Sequence, residues 1–180
     1  MLTLQDIDNK TVAHSYQLVT LWVGVLPSTV VRGRKNPLYY GLPHRLKKAR
    51  TASYDAVASA AGLPDGITVY LLEQGKRVPR LDTVEKIACA LGVSPSFLAF
   101  GLAGECARGQ VLHSEGVGAR LRAARNLRVL TVRGLARLSA MSDTTVRLTE
   151  NGETVPSVAT VEALARALNV SPGWLGYGIG

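Results

Sequence analysis

The ionisable residues of this chain favour the binding of a polyanion over catalysis. Its 180 residues include 21 Lys and Arg against 13 Asp and Glu, which gives a formal net charge of +8. Excess positive charge is typical of proteins that bind nucleic acid or an anionic membrane surface. The histidines His14, His44 and His113 are scattered, and no carboxylate pair, nucleophile–base set or glycine-rich phosphate loop has a meaningful spacing. The sequence therefore predicts a protein that is not an enzyme and has no cofactor or metal.

The cysteines and the apolar segments indicate a cytoplasmic protein. Cys89 and Cys106 lack the spacing of a zinc site, and we expect Cys89 to be a small buried side chain within a helix. The apolar run 18–26 is too short for a bilayer, which needs roughly 20 residues. Asp6 and Asp8 make the start of the chain unlike a secretory signal. No basic amphipathic helix is apparent either, so we expect no membrane partner.

An internal repeat determines where these charges must lie. Residues 73–101 align with residues 150–178, and 15 of the 29 aligned positions are identical. Residues 41–50 align with residues 116–125 at an offset of 75 instead of 77. Such self-similarity is the signature of two copies of one structural unit. The change in offset predicts three fewer residues between the first two helices of the first copy, and one more residue in its turn.

The repeat divides the chain into four parts. Residues 41–101 and 116–178 are the predicted first and second domains. Residues 102–115 contain glycine and serine without a clear period, so we expect a flexible or loosely packed connection. Residues 1–40 have no counterpart in the repeat and form an N-terminal extension, an arm or a dimerisation element.

The N-terminal extension allows more than one structure. Residues 14–31 are rich in Val, Leu and Thr, which favours a strand or hairpin, and a helix over residues 8–23 is the alternative. Tyr16 and Trp22 are candidates to pack on the first domain or to form a dimer surface. The basic segment Arg32-Gly33-Arg34-Lys35 is either an arm that enters the minor groove of DNA or a solvated linker.

Each domain is predicted to contain five short helices. In the second domain, apolar residues recur at helical spacing, and Leu127 and Leu138 are expected on the inward faces of the first two helices. Gly92 and Asn169 stand where a helix end requires a left-handed residue. Residues that cap helix N-termini mark the helix starts: Thr131, Ser142, Ser157, Ser94-Pro95 and Ser171-Pro172.

Corresponding motifs recur in the two domains. The second domain contains RLRAAR, LTVRGLARLSAMS, TENG and ALNVSP, and the first contains RLKKAR, YDAVASAAGL, LEQGKRVP and ALGVSP. These motifs resemble the Cro / lambda-repressor-like helix-turn-helix family, often called the Xre type. The resemblance covers about two thirds of the chain. It implies an all-α protein with two tandem five-helix domains, of the kind found in bacterial or phage regulators.

The resemblance implies that double-stranded DNA is the partner. In this family the second helix crosses the phosphate backbone, and the third lies in the major groove, where base edges carry a distinctive pattern of donors and acceptors. Thr131 and Ser142 have the alternative role of capping their helices only. The candidates for base contact in the second domain are Asp143, Thr144, Arg147 and Leu148. The candidates for phosphate contact are Thr131, Arg133, Ser142 and Asn151.

The resemblance also implies two structural ion pairs, Arg50–Glu73 and Arg125–Glu150. They would brace the first helix of each domain against the third. We therefore do not expect these arginines to contact DNA. The remaining basic residues of the second domain are expected at a solvated or phosphate-facing surface: Arg120, Arg122 and Arg128.

The first domain departs from the family pattern at the positions that should face DNA. Its third helix offers no charged side chain there and little hydrogen-bonding capacity. An exposed apolar face is more typical of a protein contact than of a DNA contact. However, the first domain remains basic, with eight basic and five acidic residues against eight and four in the second. Its candidates for contact with DNA or a protein partner are Gly66, Ile67, Thr68, Tyr70, Leu71, Lys76 and Arg77.

The leading hypothesis is a sequence-specific DNA-binding regulator of transcription, a repressor, with two readers in one chain. It predicts an asymmetric DNA site, or a homodimer that spans four sub-sites. The alternative is a co-regulator or anti-activator that binds another transcription factor through degenerate helix-turn-helix surfaces. The apolar third helix of the first domain motivates this alternative.

Overall fold

The structure, a computed structural model, describes residues 36–103 and 113–178. These residues form ten α-helices and no β-strand. The predicted all-α fold with two five-helix domains is confirmed. The predictions for most of the N-terminal extension, including residues 32–35, and for most of the linker fall outside the described residues.

The helices follow the same order in both domains. Each set is preceded by a short 3₁₀ turn, at Leu38–Gly41 and at His113–Gly116. The first domain contains α1 (Leu42–Ala49), α2 (Tyr54–Ala60), α3 (Ile67–Glu73), α4 (Leu81–Leu91) and α5 (Pro95–Phe100). The second contains α6 (Val117–Leu127), α7 (Val132–Ser139), α8 (Asp143–Glu150), α9 (Val158–Leu168) and α10 (Pro172–Tyr177). None of these helices has the length and apolar character needed to cross a bilayer.

The predicted capping residues begin and end the helices. The side-chain oxygens of Thr131, Ser142 and Ser157 each accept a hydrogen bond from the backbone N–H three residues ahead. These bonds satisfy N–H groups that have no partner within their own helix. Gly92 and Asn169 end α4 and α9 in the left-handed conformation, with φ angles of 66° and 52°. These predictions are confirmed.

The length differences inferred from the repeat appear in two places. Helix α6 has 11 residues and α1 has 8, whereas four residues connect the first two helices in both domains, at 50–53 and 128–131. The three missing residues therefore belong to the end of the first helix, and the prediction that placed them between the helices is corrected. The turn before α3 comprises residues 61–66, whereas residues 140–142 suffice before α8. Because α2 and α3 have 7 residues each and α7 and α8 have 8, the longer turn adds one residue net, as the repeat predicted.

A leucine core closes each domain, but three residues expected to be inside are exposed. Leu138 is 61% exposed and Leu127 is 54% exposed. Leu135, Ala136 and Ser139 occupy the inward face of α7, which turns Leu138 outward. Cys89 is also exposed, because it lies outside the buried face of α4. That face is formed by Leu81, Val84, Glu85, Ile87 and Ala88.

Arg120 corrects another expectation, because it braces the fold instead of facing solvent. Its guanidinium donates to the carbonyl oxygens of Leu175 at 2.9 Å and Gly176 at 2.8 Å. Burial lowers the pKa of Arg120 to about 10. Arg45 does the same in the first domain, donating to the carbonyl oxygens of Leu98 and Ala99. Each arginine therefore ties the first helix of its domain to the last.

The two domains pack against each other within one compact unit. Helices α5 and α10 form the main contact. The segments that lead into α4 and α9 run antiparallel, with Arg80 opposite Ser157. Two backbone hydrogen bonds join these segments, one from Leu81 N–H to Pro156 O and one from Val158 N–H to Pro79 O, each 3.0 Å long. The contact between domains therefore includes shared backbone hydrogen bonds as well as apolar side chains.

Candidate nucleic-acid interface

A tight turn between α7 and α8 presents the start of α8. Ala140 ends α7 in the left-handed conformation, with φ of 56°, and α8 begins three residues later. The Ser142 hydroxyl accepts a hydrogen bond from Thr145 N–H at 3.0 Å and lies 2.8 Å from the Thr145 hydroxyl. Ser142 is exposed, so its cap lies at the surface. This turn fixes the direction in which α8 projects its first residues.

Helix α8 has one buried face and one open face. Val146, Thr149 and Glu150 are buried against the domain. Thr144 and Arg147 are exposed, and Leu148 is half-buried. The Arg147 side chain makes no hydrogen bond or ion pair with any described residue of the chain. The guanidinium of Arg147 is therefore available to an external acceptor.

Two other candidates for DNA contact are tied to each other. Arg133 on α7 donates from Nε to Asp143 on α8 at 3.1 Å. The Arg133 side chain is 86% exposed and that of Asp143 is 39% exposed, so this is a surface pair of small stabilising effect. A phosphate or a base donor can compete for either partner. The pair links the helix predicted to cross the backbone to the helix predicted to enter the groove.

Thr131 and Asn151 lie on either side of this region. Thr131 is exposed and accepts a hydrogen bond from Gly134 N–H at 3.0 Å at the start of α7. Asn151 is exposed after the end of α8, where its side chain accepts from Arg122 at 2.9 Å and donates to Glu153 at 2.8 Å. Both side chains are thus engaged in surface hydrogen bonds.

Buried ion pairs hold α3 and α8, the third helix of each domain, against the first helix of the same domain. Arg125 donates to both carboxylate oxygens of Glu150, at 2.6 and 3.0 Å, and Arg50 donates to those of Glu73, at 2.8 and 3.3 Å. Each glutamate side chain is less than 5% exposed. Hydrogen bonding to Glu150 raises the pKa of Arg125. These arginines therefore position helices and do not face a ligand.

The corresponding surface of the first domain is largely apolar. Ile67 is 62% exposed and Tyr70 is 40% exposed on α3, while Thr68 and Leu71 are half-buried. Lys76 and Arg77 are exposed in the loop after α3. The Lys76 ammonium lies 5.9 Å from the centre of the Tyr70 ring, which places one cation beside the apolar face.

Gly66 corrects the expectation of a groove-facing residue, because it is buried. Its N–H donates to the Asp55 carboxylate at 3.1 Å. A Cβ at position 66 would lie 2.4 Å from the same carboxylate oxygen and 2.8 Å from the Asp55 backbone nitrogen. The start of α3 is therefore pressed against α2, and Gly66 has no surface to offer a ligand.

Comparison with known families agrees with this architecture. Residues 53–98 match the family described as Helix-turn-helix, and residues 117–173 match the family described as Helix-turn-helix domain. Together the matches span more than half of the chain. The chain belongs to the helix-turn-helix family. Its two domains are tandem Xre-like copies, and they indicate a DNA-binding regulator. Searches of curated proteins and of solved structures gave no match.

The two helix-turn-helix units differ in charge where a phosphate backbone would lie. Aligned by the repeat, Asp55 and Gly66 of the first domain occupy the positions of Arg133 and Asp143 in the second. Residues 51–75 contain three acidic residues and no Lys or Arg. The second domain is therefore the better suited of the two to contact DNA through this motif.

One cation of the helix-turn-helix surface, Arg137, was not among the residues predicted from the sequence. Arg137 is exposed on α7, one helical turn after Arg133. The spacing of four residues was the available signal, since residues at i and i+4 share a helix face. Arg133 and Arg137 therefore form a basic edge on the helix that precedes α8.

Proposed function

We propose that this helix-turn-helix protein is a sequence-specific regulator of transcription, a repressor, that inserts α8 into the major groove of DNA. The observation that carries the proposal is the open face of α8, on which Arg147 is exposed and unpaired among the described residues. Arg120 and Arg125 of the same domain, by contrast, are engaged in holding helices together. An α-helix fits the major groove, and an arginine there can donate two hydrogen bonds to guanine.

Neighbouring residues supply the rest of the contact. Thr144 precedes Arg147 by nearly one turn and is exposed on the same helix. Asp143 can accept a hydrogen bond from cytosine N4 when Arg133 turns to a phosphate, and Leu148 can contact a thymine methyl group. Phosphate contacts would come from Arg133, Arg137, Thr131, Ser142 and Asn151, which position the domain without reading sequence.

Selection from a random DNA pool tests the proposal, followed by measurement of affinity across a salt series. We expect a preferred sequence, and an affinity that falls steeply with salt because bound cations displace counterions from DNA. Arg147→Ala should weaken binding to the preferred site by about 5- to 150-fold, the loss of one good base contact, and relax preference at one position. Arg166→Ala is the matched control, since Arg166 is an exposed arginine on α9. Equal binding to all sequences at every salt concentration would contradict specific recognition.

The sign of regulation has its own test. A protein that covers a promoter obstructs polymerase by occupancy alone, so repression needs no surface beyond the DNA contact. A reporter placed behind the selected site should fall in expression with the wild-type protein and recover with Arg147→Ala. Activation by the wild-type protein would reject the repressor assignment and leave DNA recognition intact.

The second candidate function is that of a co-regulator that binds another transcription factor through α3. Exposed Ile67 and Tyr70, in a segment without Lys or Arg, favour this function. Tyr70→Asp separates the two candidates because it places a charge on the apolar face and leaves α8 untouched. Loss of DNA binding in Tyr70→Asp, together with full binding in Arg147→Ala, would make the first domain the reader.

A further inference from the structure

The contacts between the two domains are reciprocal. Leu81 N–H donates to Pro156 O, and Val158 N–H donates to Pro79 O, both at 3.0 Å. Leu81 aligns with Val158 in the repeat, and Pro79 aligns with Pro156. The same bond is therefore made twice, with the roles of the domains exchanged. This exchange defines the interface of a two-fold symmetric pair.

Two glutamates repeat the pattern at a distance from this bridge. Glu162 of the second domain accepts hydrogen bonds from Leu38 N–H at 2.7 Å and Tyr39 N–H at 3.0 Å. Its counterpart Glu85, in the first domain, accepts from Ser114 N–H at 3.0 Å. Ser114 stands at the position of Tyr39 in the repeat. Each domain thus holds the 3₁₀ turn that opens the other.

An aromatic pair lies where the two copies meet. The rings of Phe100 and Tyr177, which also occupy equivalent positions, are buried with their centroids 6.4 Å apart. The Tyr177 hydroxyl donates to Leu81 O at 3.4 Å across the interface. A Cβ added at Gly176 would lie 3.3 Å from Leu81 Cδ2, so the chains approach closely here. The interface around this aromatic pair is apolar and tightly packed.

These contacts use the surface through which two identical helix-turn-helix domains could pair. Each domain already has its partner, and that partner belongs to the same chain. Dimeric helix-turn-helix proteins span two half-sites one helical turn of DNA apart. The reciprocal contacts relate the two domains of this chain by a pseudo-two-fold, and therefore relate α3 of one domain to α8 of the other.

We propose that a single chain, with its domains joined as a pseudo-symmetric pair, covers a complete two-half DNA site in which only the half under α8 is read. This inference rests on the proposed function. The α3 half lacks a base-reading charge, and Asp55 stands where Arg133 stands in the other half. The first domain contributes the exposed cations Lys47, Lys48, Lys76 and Arg77, which bind phosphate without regard to sequence.

The pairing is tested first without DNA, by a disulfide across the bridge. Arg80 and Ser157 lie opposite each other in the antiparallel segments and form a non-hydrogen-bonded pair. Such pairs bring Cα atoms to about 4.5 Å, within the range of a disulfide. The test variant is the full chain with Arg80→Cys and Ser157→Cys, and with Cys89→Ser and Cys106→Ser. On oxidation we expect a cross-linked product of monomer mass.

The matched controls are the two chains that carry only one of the new cysteines. They can form a disulfide only between chains, so we expect them to remain monomeric. Covalent dimers in the double-cysteine chain would show that the domains pair between chains, and would overturn the proposal. Circular dichroism checks that each variant keeps its helices, since Ser157 also caps α9.

The second stage adds DNA to the oxidised chain. We expect saturation at one chain per duplex, a protected region of two half-sites, and sequence preference confined to one half. Two chains on a palindromic site would overturn the proposal while DNA recognition stands. If the monomeric disulfide product binds no DNA at low salt, the proposed function is rejected, and so is the two-half DNA site. The pairing of the two domains within one chain would then be the only part still supported. Preference in both halves would show that α3 reads bases, and would also overturn the proposal.

Discussion

The two domains of this protein share the order of five helices and a buried ion pair, yet they offer different surfaces at α3 and α8. In the second domain Thr144 and Arg147 are exposed and Arg133 lies on the preceding helix. In the first domain Ile67 stands at the position of Thr144, Tyr70 at that of Arg147, and Asp55 at that of Arg133. The core and the ion pair are therefore common to both domains, while outward positions that are polar or basic in the second domain are apolar or acidic in the first.

This difference shows which residues the fold depends on and which are available for function. Buried leucines, capping residues and the Arg–Glu pairs carry the packing, and a change at any of them affects the whole domain. Outward residues of α3 and α8 contribute little to packing, so one scaffold can carry two surfaces. The following predictions would break or sharpen this comparison, and they run from the largest expected effect to the smallest.

Breaking a buried ion pair should give the largest loss in the free energy of unfolding, and the loss should be greater in the first domain. Among the described residues, Arg50→Met leaves the buried Glu73 with one side-chain hydrogen bond, from the Tyr54 hydroxyl at 2.9 Å, whereas Arg125→Met leaves Glu150 with Arg122 at 3.6 Å. Removing one partner of a buried pair strands the other charge, so we expect losses of about 3 kcal/mol for Arg50→Met and about 2 kcal/mol for Arg125→Met. Urea denaturation measures both.

The control for this experiment replaces both members of the first pair. Arg50→Met with Glu73→Met removes the stranded charge, and should therefore recover much of the stability lost in Arg50→Met. Equal losses in the single and double variants would mean that packing around Arg50, and not the unpaired carboxylate, sets the cost.

Grafting the outward residues of α8 onto α3 should convert an apolar surface into a reading surface. Ile67→Thr with Tyr70→Arg places the residues of the second domain at the equivalent positions of the first. We expect DNA affinity to rise by about 5- to 30-fold, or roughly 1–2 kcal/mol, because one new arginine faces the groove. Fluorescence anisotropy with a labelled duplex measures the change.

Tyr70→Gln is the control for the graft, since it removes the ring without adding charge. Unchanged affinity in the grafted chain would indicate that outward side chains do not account for the difference between the domains. The first domain would then be better explained by the protein-partner function.

Removing the side chain that accepts an N–H at the start of α3 or of α8 should lower the free energy of unfolding by a smaller amount. Ser142 accepts from Thr145 N–H at 3.0 Å, and Asp65 accepts from Thr68 N–H at 3.3 Å. We expect Ser142→Ala to lower the free energy of unfolding by about 1 kcal/mol, and Asp65→Ala to lower it by less because its bond is longer. Thermal denaturation measures both, with Thr144→Ala as an exposed control on the same helix. A larger loss for Asp65→Ala would reverse this ranking.

The smallest effect concerns acid stability of the first domain. Hydrogen bonds from Arg50 and Tyr54 hold the pKa of Glu73 below its ordinary value, against the opposing effect of burial. The lowered pKa contributes stability that is present above the ordinary carboxyl range near pH 4.3, and that is lost as the pH falls through the folded pKa.

Glu73→Gln tests the acid prediction because it cannot titrate. We expect the stability difference between wild type and Glu73→Gln, measured by urea denaturation, to be largest at neutral pH and to narrow below about pH 4. A difference that stays constant down to pH 2.5 would mean that Glu73 does not titrate in this range on unfolding.

Helix starts and ends were predictable from the sequence because they depend on near neighbours. A capping oxygen reaches an N–H three residues ahead, as at Ser142, and a left-handed helix end favours Gly or Asn, as at Asn169. The repeat then carried each assignment from one domain to the other. The repeat also aligns Glu85 with Glu162 and Arg45 with Arg120. The hydrogen-bond partners of these residues were not predictable, because they lie far away in sequence.

The sequence by itself determined two five-helix domains, their caps and the outward residues of α8, because these follow from short-range spacing and from the repeat. Only the tertiary structure decided that Gly66 lies buried under Asp55, that Leu138 faces outward, and that the two domains form a reciprocal pair. The first two outcomes depend on which helices pack together within a domain, and the third on surfaces that meet across about 77 residues of chain. Helical periodicity says that a face is apolar, but the neighbour that covers it is set by packing.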